Sequence, residues 1–104
     1  MFNLGLALTL RPGAFDGYKR AHDELWPALA AGMMANEVSM AIYRDGERLF
    51  VFAAAPSEAH WQCSRQDPIL ARWDERMAEY LVTDEQGRLA FSALEKAFGF
   101  GEFG

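Results

Sequence analysis

Val38-Ser39-Met40-Ala41-Ile42-Tyr43-Arg44-Asp45-Gly46-Glu47-Arg48-Leu49-Phe50-Val51-Phe52-Ala53 is the stretch on which the fold turns. Two apolar runs flank an Asp-Gly pair, the strongest short-range signal for a β-hairpin, because Gly supplies the positive φ that a tight two-residue turn requires. The stretch reads as two strands about a turn at Asp45-Gly46. Pro56 and Ser57 stop the second strand, since Pro cannot donate to a sheet ladder and Ser is a good helix N-cap.

Upstream of the hairpin, Phe2, Leu4, Leu6, Leu8 and Leu10 alternate with small or polar residues, which is the period of a strand buried on one face. The segment is apolar enough to resemble a targeting sequence, but it has no basic leader and no small-residue cleavage pattern, and it is far shorter than the roughly 20 residues of a membrane span. Arg11-Pro12-Gly13 then breaks the chain, and Phe15, Tyr18, His22, Leu25 and Leu29 recur at helical spacing. Pro27 lies inside that pattern, so the helix must kink or restart there, beside Trp26.

Downstream, Ser57 caps a short helix through Trp61, and Asp67-Pro68 offers an N-cap and a first-turn proline to another helix. That second helix carries Leu70, Trp73, Met77 and Leu81 on one face. Asp84-Glu85-Gln86-Gly87 reads as a turn, and Leu89–Phe100 is expected to hold a last strand that ends in Ala97-Phe98-Gly99-Phe100. The order β-α-β-β-α-β is that of the α+β, ferredoxin-like split βαβ sandwich, in which an antiparallel sheet is covered by helices on one face. Its other face would stay bare, and strands this rich in Phe, Val and Met lead us to expect a homodimer that covers it.

A chain of 104 residues with 51% hydrophobic content can bury one core, so residues 1–104 are expected to form one domain. The net charge of −5 and the lack of a basic run argue against nucleic acid or an anionic membrane as partner, since both need a concentrated positive field. Cys63 is the single cysteine, which excludes an internal disulfide and fits a reducing cytoplasm. It lies in no metal-ligand spacing, and neither a metal nor a cofactor is expected. A small neutral ligand remains open.

His22 stands four residues after Tyr18 and therefore on the same helix face. It is a side chain whose ordinary pKa suits proton transfer near neutrality. From spacing alone it reads first as a hydrogen-bonded core residue, and Tyr18, Trp26 and Trp73 read by default as core aromatics. His60 reads as a surface residue, and Asp23-Glu24 and Asp74-Glu75 as solvated charge.

The run Tyr18-Lys19-Arg20-Ala21-His22-Asp23-Glu24-Leu25-Trp26-Pro27-Ala28-Leu29 resembles the Y-x-x-x-H-x-x-x-W-P-x-L helix of the L-rhamnose mutarotase family. The resemblance extends over Ala41–Asp45 with Arg48–Phe50, over Asp67-Pro68 through Trp73 and Met77, and over Leu94–Phe98 as a closing strand. It implies a dimeric αβ-barrel enzyme, with no cofactor, that interconverts the α and β anomers of a 6-deoxyaldose. It further implies His22 as catalytic proton donor and Tyr18, Trp26, Met40, Trp73 and Asp74 as substrate-binding residues. Met40 stands where the rhamnose branch has an aromatic residue, and Trp73-Asp74 where it has a Trp-Trp pair. An L-fucose mutarotase branch is similar in having Trp followed by an acidic residue, so L-rhamnose and L-fucose both stand as expected substrates. The alternative reading is a ferredoxin-like protein of the same kind that binds a small ligand without chemistry, or acts as an oxygenase.

Overall fold

A computed structural model describes residues 1–104. The elements in chain order are β1 (Phe2–Thr9), α1 (Phe15–Asp23), α2 (Pro27–Ala35), β2 (Ser39–Asp45), β3 (Arg48–Ala55), α3 (Glu58–Ser64), α4 (Ile69–Met77) and β4 (Phe91–Ala93), followed by a 3₁₀ turn at Gly101–Phe103. The strands form one sheet in the order β2-β3-β1-β4, and every pairing in it is antiparallel. This is the split βαβ topology, with each half of the hairpin unit enclosing helices between its strands.

Strand alternation fixes which side is buried. In the β1–β3 ladder Leu8 faces Leu49, Leu6 faces Val51, Leu4 faces Ala53 and Phe2 faces Ala55. These pairs all point to the helices. Leu8, Leu10, Leu49 and Val51 pack with Tyr18, Ala21, Leu29, Leu70, Trp73, Met77 and Leu81 in the main core, and Ala53, Ala55 and Trp61 form a smaller cluster under α3. Tyr80 lies over Gly17 so closely that a Cβ there would fall 2.5 Å from the ring, which ties α1 to the segment after α4. The opposite face carries Tyr43, Phe50 and Phe52, and Tyr43 and Phe52 are 64% and 42% exposed.

Four local readings are refined by the structure. Pro27 does not kink a single helix but starts a second one as its first residue, with Trp26 held extended at ψ 130° by the steric demand of the following proline. The hairpin turn lies one residue later than the Asp-Gly pair: Asp45 pairs with Arg48, and the loop is Gly46-Glu47, with Gly46 at φ 61° as a type II′ turn requires at its first central position. Asp67 caps α4 through its carboxylate, which accepts from the Ile69 N–H at 3.0 Å, so Pro68 takes the boundary position and Leu81 falls beyond the helix. His60 is half-buried, because its Nδ1 meets the Ser57 hydroxyl at 2.7 Å.

The last strand differs more. The expected strand at Ala97–Phe100 is absent, and β4 is Phe91–Ala93, with Leu6 opposite Ala93 and Leu8 opposite Phe91. The reason lies in how the chain returns from α4. Leu81 bridges Leu10, the Val82 N–H donates to the Thr9 carbonyl, and the turn at Asp84 folds Leu89 back onto Thr83. Residue 91 is thereby delivered to the free edge of β1, and the pairing is complete once the Leu94 N–H reaches the Gly5 carbonyl.

Candidate active site

The layer of helices does not close completely over the sheet. Between α1, α2, α4, the end of α3 and strand β2 lies a half-open cavity of about 490 Å³, within the ~300–1,000 Å³ usual for small-molecule sites. Mostly apolar side chains line it, among them Leu25, Leu29, Met33, Met40 and Ile42, with Tyr18, His22 and Trp73 at its helical wall. Of the six residues singled out from the sequence, Tyr18, His22, Met40 and Trp73 therefore share one cavity. Trp26 does not line it but stands behind Trp73, edge to face at 5.2 Å. Asp74 lies outside the lining too, exposed on α4 one position past Trp73.

The helical wall is a row of rings in contact. Tyr18 and His22, one turn apart, have centroids 4.3 Å apart, and Trp73 meets His22 edge to face at 5.1 Å. The imidazole is oriented by its own helix, since Nδ1 lies 2.9 Å from the Tyr18 carbonyl oxygen. A carbonyl only accepts, so Nδ1 carries the hydrogen and Nε2 is left free to exchange a proton. Burial lowers the His22 pKa below its ordinary value, opposed by the bond to Tyr18 and by the Asp23 charge. Near neutrality the ring is thus uncharged, with Nε2 an acceptor.

Burial acts on Tyr18 in the opposite sense and pushes its phenol up to about 12. It stays a protonated donor throughout the physiological range. No buried side-chain nitrogen or oxygen in the protein lacks a partner. The Tyr18 hydroxyl and His22 Nε2, which bond to no group of the chain, are accordingly open to the cavity rather than sealed in the core. Exposed as the residue is, desolvation of its carboxyl by the neighbouring chain raises the Asp74 pKa, with the charge of Arg65 opposing the shift.

Sequence reasoning missed the cationic part of the wall. Lys19, Arg44 and Arg65 line the cavity together with Asp23. Arg44 was detectable, because Met40, Ile42 and Arg44 share the inward face of β2 and a charged residue in an inward position asks for a reason. Arg65, at the C-cap of α3, gave no such signal.

Comparison with known proteins places the chain in a family. The family model described as L-rhamnose mutarotase matches residues 3–100. An L-rhamnose mutarotase of Burkholderia orbicola is 30% identical over 101 residues, covering 94% of this chain and 97% of the relative, and one of Klebsiella pneumoniae is 29% identical over the same shares. The crystal structure of an L-rhamnose mutarotase from Formosa agariphila superposes with a TM-score of 0.81 at 25% identity, over 97% of this chain and all of that one. A Pseudomonas aeruginosa protein shares the fold alone, with a TM-score of 0.60 at 14% identity over 92% and 93% of the two chains. Fold, cavity and relatives together define the class, a small enzyme of the kind that interconverts sugar anomers. The chain belongs to the L-rhamnose mutarotase family.

Proposed function

We propose that the protein interconverts the α and β anomers of L-rhamnose, or of a closely similar 6-deoxyaldose, with His22 moving the proton. The observation that carries this reading is the pairing of a neutral imidazole, its Nε2 open to the cavity, with a phenol held protonated beside it. Mutarotation breaks the bond between C1 and the ring oxygen, lets the aldehyde turn, and closes the ring on the other face. One proton must leave the anomeric hydroxyl and one must reach the ring oxygen. Because burial keeps His22 uncharged, it enters as the acceptor, taking the anomeric proton at Nε2. The imidazolium so formed is the donor that protonates the ring oxygen, which is bonded to the same carbon. The proton-donor role read from the sequence becomes the second half of one cycle.

The other groups bind and orient. Tyr18 donates a hydrogen bond to a sugar oxygen, and the face of Trp73 packs against the C–H surface, with Trp26 fixing the indole from behind. Met40 supplies apolar surface across the cavity. The test is saturation-transfer NMR on a mixture of anomers, which reads exchange between the two anomeric signals above the spontaneous rate. L-rhamnose, L-fucose and other aldoses run in parallel rank the sugars. Line broadening without exchange would establish a binding protein instead.

The reading includes a homodimer and a cytoplasmic setting. Tyr43, Phe50 and Phe52 lie on the side of the sheet away from the helices, and Phe98 and Phe100 after β4 are strongly exposed; a second copy would cover this apolar area. Sedimentation at micromolar concentration is expected to give twice the 11.7 kDa chain mass, and Phe52→Glu to give the monomer. A wild-type monomer at that concentration would count against the dimer. Cys63 is a free, exposed thiol, as suits a reducing compartment, and no helix is long and apolar enough to cross a membrane.

A further inference from the structure

Three cations line the cavity, and they differ in what already holds them. The Lys19 ammonium lies 3.0 Å from both carboxylate oxygens of Asp23, one helical turn away. The Arg44 Nε donates to the Gly46 carbonyl at 2.8 Å, its guanidinium lies 3.9 Å over the Phe15 ring, and it also borders a second depression shared with Asp16 and Glu47. Arg65 is in neither situation. It takes part in no ion pair of the chain, and its one hydrogen bond, from Nε to the Ser64 hydroxyl, is long at 3.5 Å.

Arg65 is nevertheless fixed in place. Its guanidinium lies 4.5 Å over the ring of Trp61, a residue only 9% exposed, so the planar group is stacked on a rigid support. The side chain is half-buried, and stacking of this kind leaves the two terminal amino groups directed along the plane. They have no acceptor in the protein and, since no buried side-chain nitrogen is unpartnered, they are accessible, on a residue that lines the cavity. A guanidinium with both terminal groups free presents a fork of parallel N–H donors. Asp74 bears on Arg65 by charge without touching it closely enough for an ion pair, and so offsets the positive charge that a neutral ligand would leave uncompensated.

We propose that Arg65 is the specificity-determining residue of this pocket, its two terminal amino groups donating to the oxygens of two adjacent hydroxyls of the sugar. The inference rests on the sugar-mutarotase reading above and adds to it the group that distinguishes one aldose from another. Tyr18 and His22 act on the reacting end, which all aldoses share; a fork that requires two neighbouring hydroxyls in one orientation rejects epimers in which one of them points away.

The test pairs Arg65→Met, which keeps length and apolar bulk over Trp61, with Arg65→Lys, which keeps charge but not the fork. Each is measured on L-rhamnose and on its analogues lacking the 2-, 3- or 4-hydroxyl, by anomer-exchange NMR for KM and kcat and by ligand-observed titration for affinity. We expect Arg65→Met to raise KM roughly 10- to 100-fold, the worth of hydrogen bonds from a charged donor, with kcat nearly unchanged. Two analogues at adjacent positions should bind the wild type weakly and should bind Arg65→Met as well as the parent sugar does. Arg65→Lys should fall between. The proposal is overturned if KM is unaltered, or if every analogue suffers the same penalty in wild type and variants, since a merely structural role would weaken all sugars alike. Wild-type protein that binds these sugars but exchanges no anomers would overturn the mutarotase reading, while the titration would still decide the role of Arg65.

Discussion

Replacing His22 by Asn is expected to slow anomer exchange roughly 10²–10⁴-fold, the usual worth of one positioned proton-transfer group. Asn keeps polarity and approximate size and can still donate to the Tyr18 carbonyl that now holds Nδ1 at 2.9 Å. The fold should therefore survive, and a loss of rate cannot be assigned to collapse. Sugar affinity should change little, because the phenol, the indole and the apolar wall remain. The spontaneous rate must be subtracted, since free aldoses mutarotate unaided and their background would mask a weak enzyme. A folded His22→Asn protein that exchanges anomers at the wild-type rate would remove His22 from the chemistry and leave it a half-buried residue bonded to its own helix.

The pH profile gives the same assignment a second readout. Burial lowers the His22 pKa in the folded state. The active form is the neutral ring, so the acid limb of kcat should lie below the ordinary imidazole value of 6.5. No loss is expected on the alkaline side until Tyr18 ionises near 12. Stability follows with a definite sign. The unfolded chain binds a proton at His22 more readily than the native protein, so this residue's contribution is complete above the ordinary value and is lost as pH falls through the window beneath it. His22→Asn should flatten that part of the stability curve as well as the acid limb.

Much of the fold was legible because its signals are local. β1 announces itself by strict alternation, β2 and β3 by their flanking of Asp45-Gly46, and α4 by the spacing of Leu70, Trp73 and Met77, all three of which are buried. The same logic put Tyr18 and His22 on one wall of the cavity, since a turn of helix necessarily joins them. What could not be read was decided by contacts distant in sequence. Ala97–Phe100 has the alternation of a strand, but the edge of β1 is already taken, because Leu81 and Val82 fix the return to β1 and bring Phe91 to it. The placement of Trp26 behind Trp73 rather than in the cavity depends on where α2 restarts relative to α4. Arg65 escaped notice for the same reason: its support Trp61 is one turn away, but the Asp74 charge and the cavity it borders come from other elements.

On the proposed reading Trp73 serves both the core and the sugar site, and Trp73→Ala should show both losses. The indole is 8% exposed and packs in the main core, against His22 on one side and Trp26 on the other. Its removal leaves a cavity that the surrounding helices can only partly fill, at about 3–5 kcal/mol, a large share of the 5–15 kcal/mol that holds a typical domain folded. A drop in midpoint temperature follows, readable by thermal denaturation with circular dichroism. Activity should fall further than the folded fraction accounts for, because without the indole neither the imidazole nor the sugar has a wall to rest on. Met77→Ala is the control. Met77 is 2% exposed on the same helix face but does not line the cavity, so it should cost a comparable ~2–5 kcal/mol while the folded molecules keep their wild-type KM and kcat. Trp73→Phe should recover much of the stability and little of the sugar affinity, since a smaller ring refills the core but presents less surface to the C–H face of the ligand. If Trp73→Ala and Met77→Ala lose activity in the same proportion to stability, Trp73 is a core residue and no part of the sugar site.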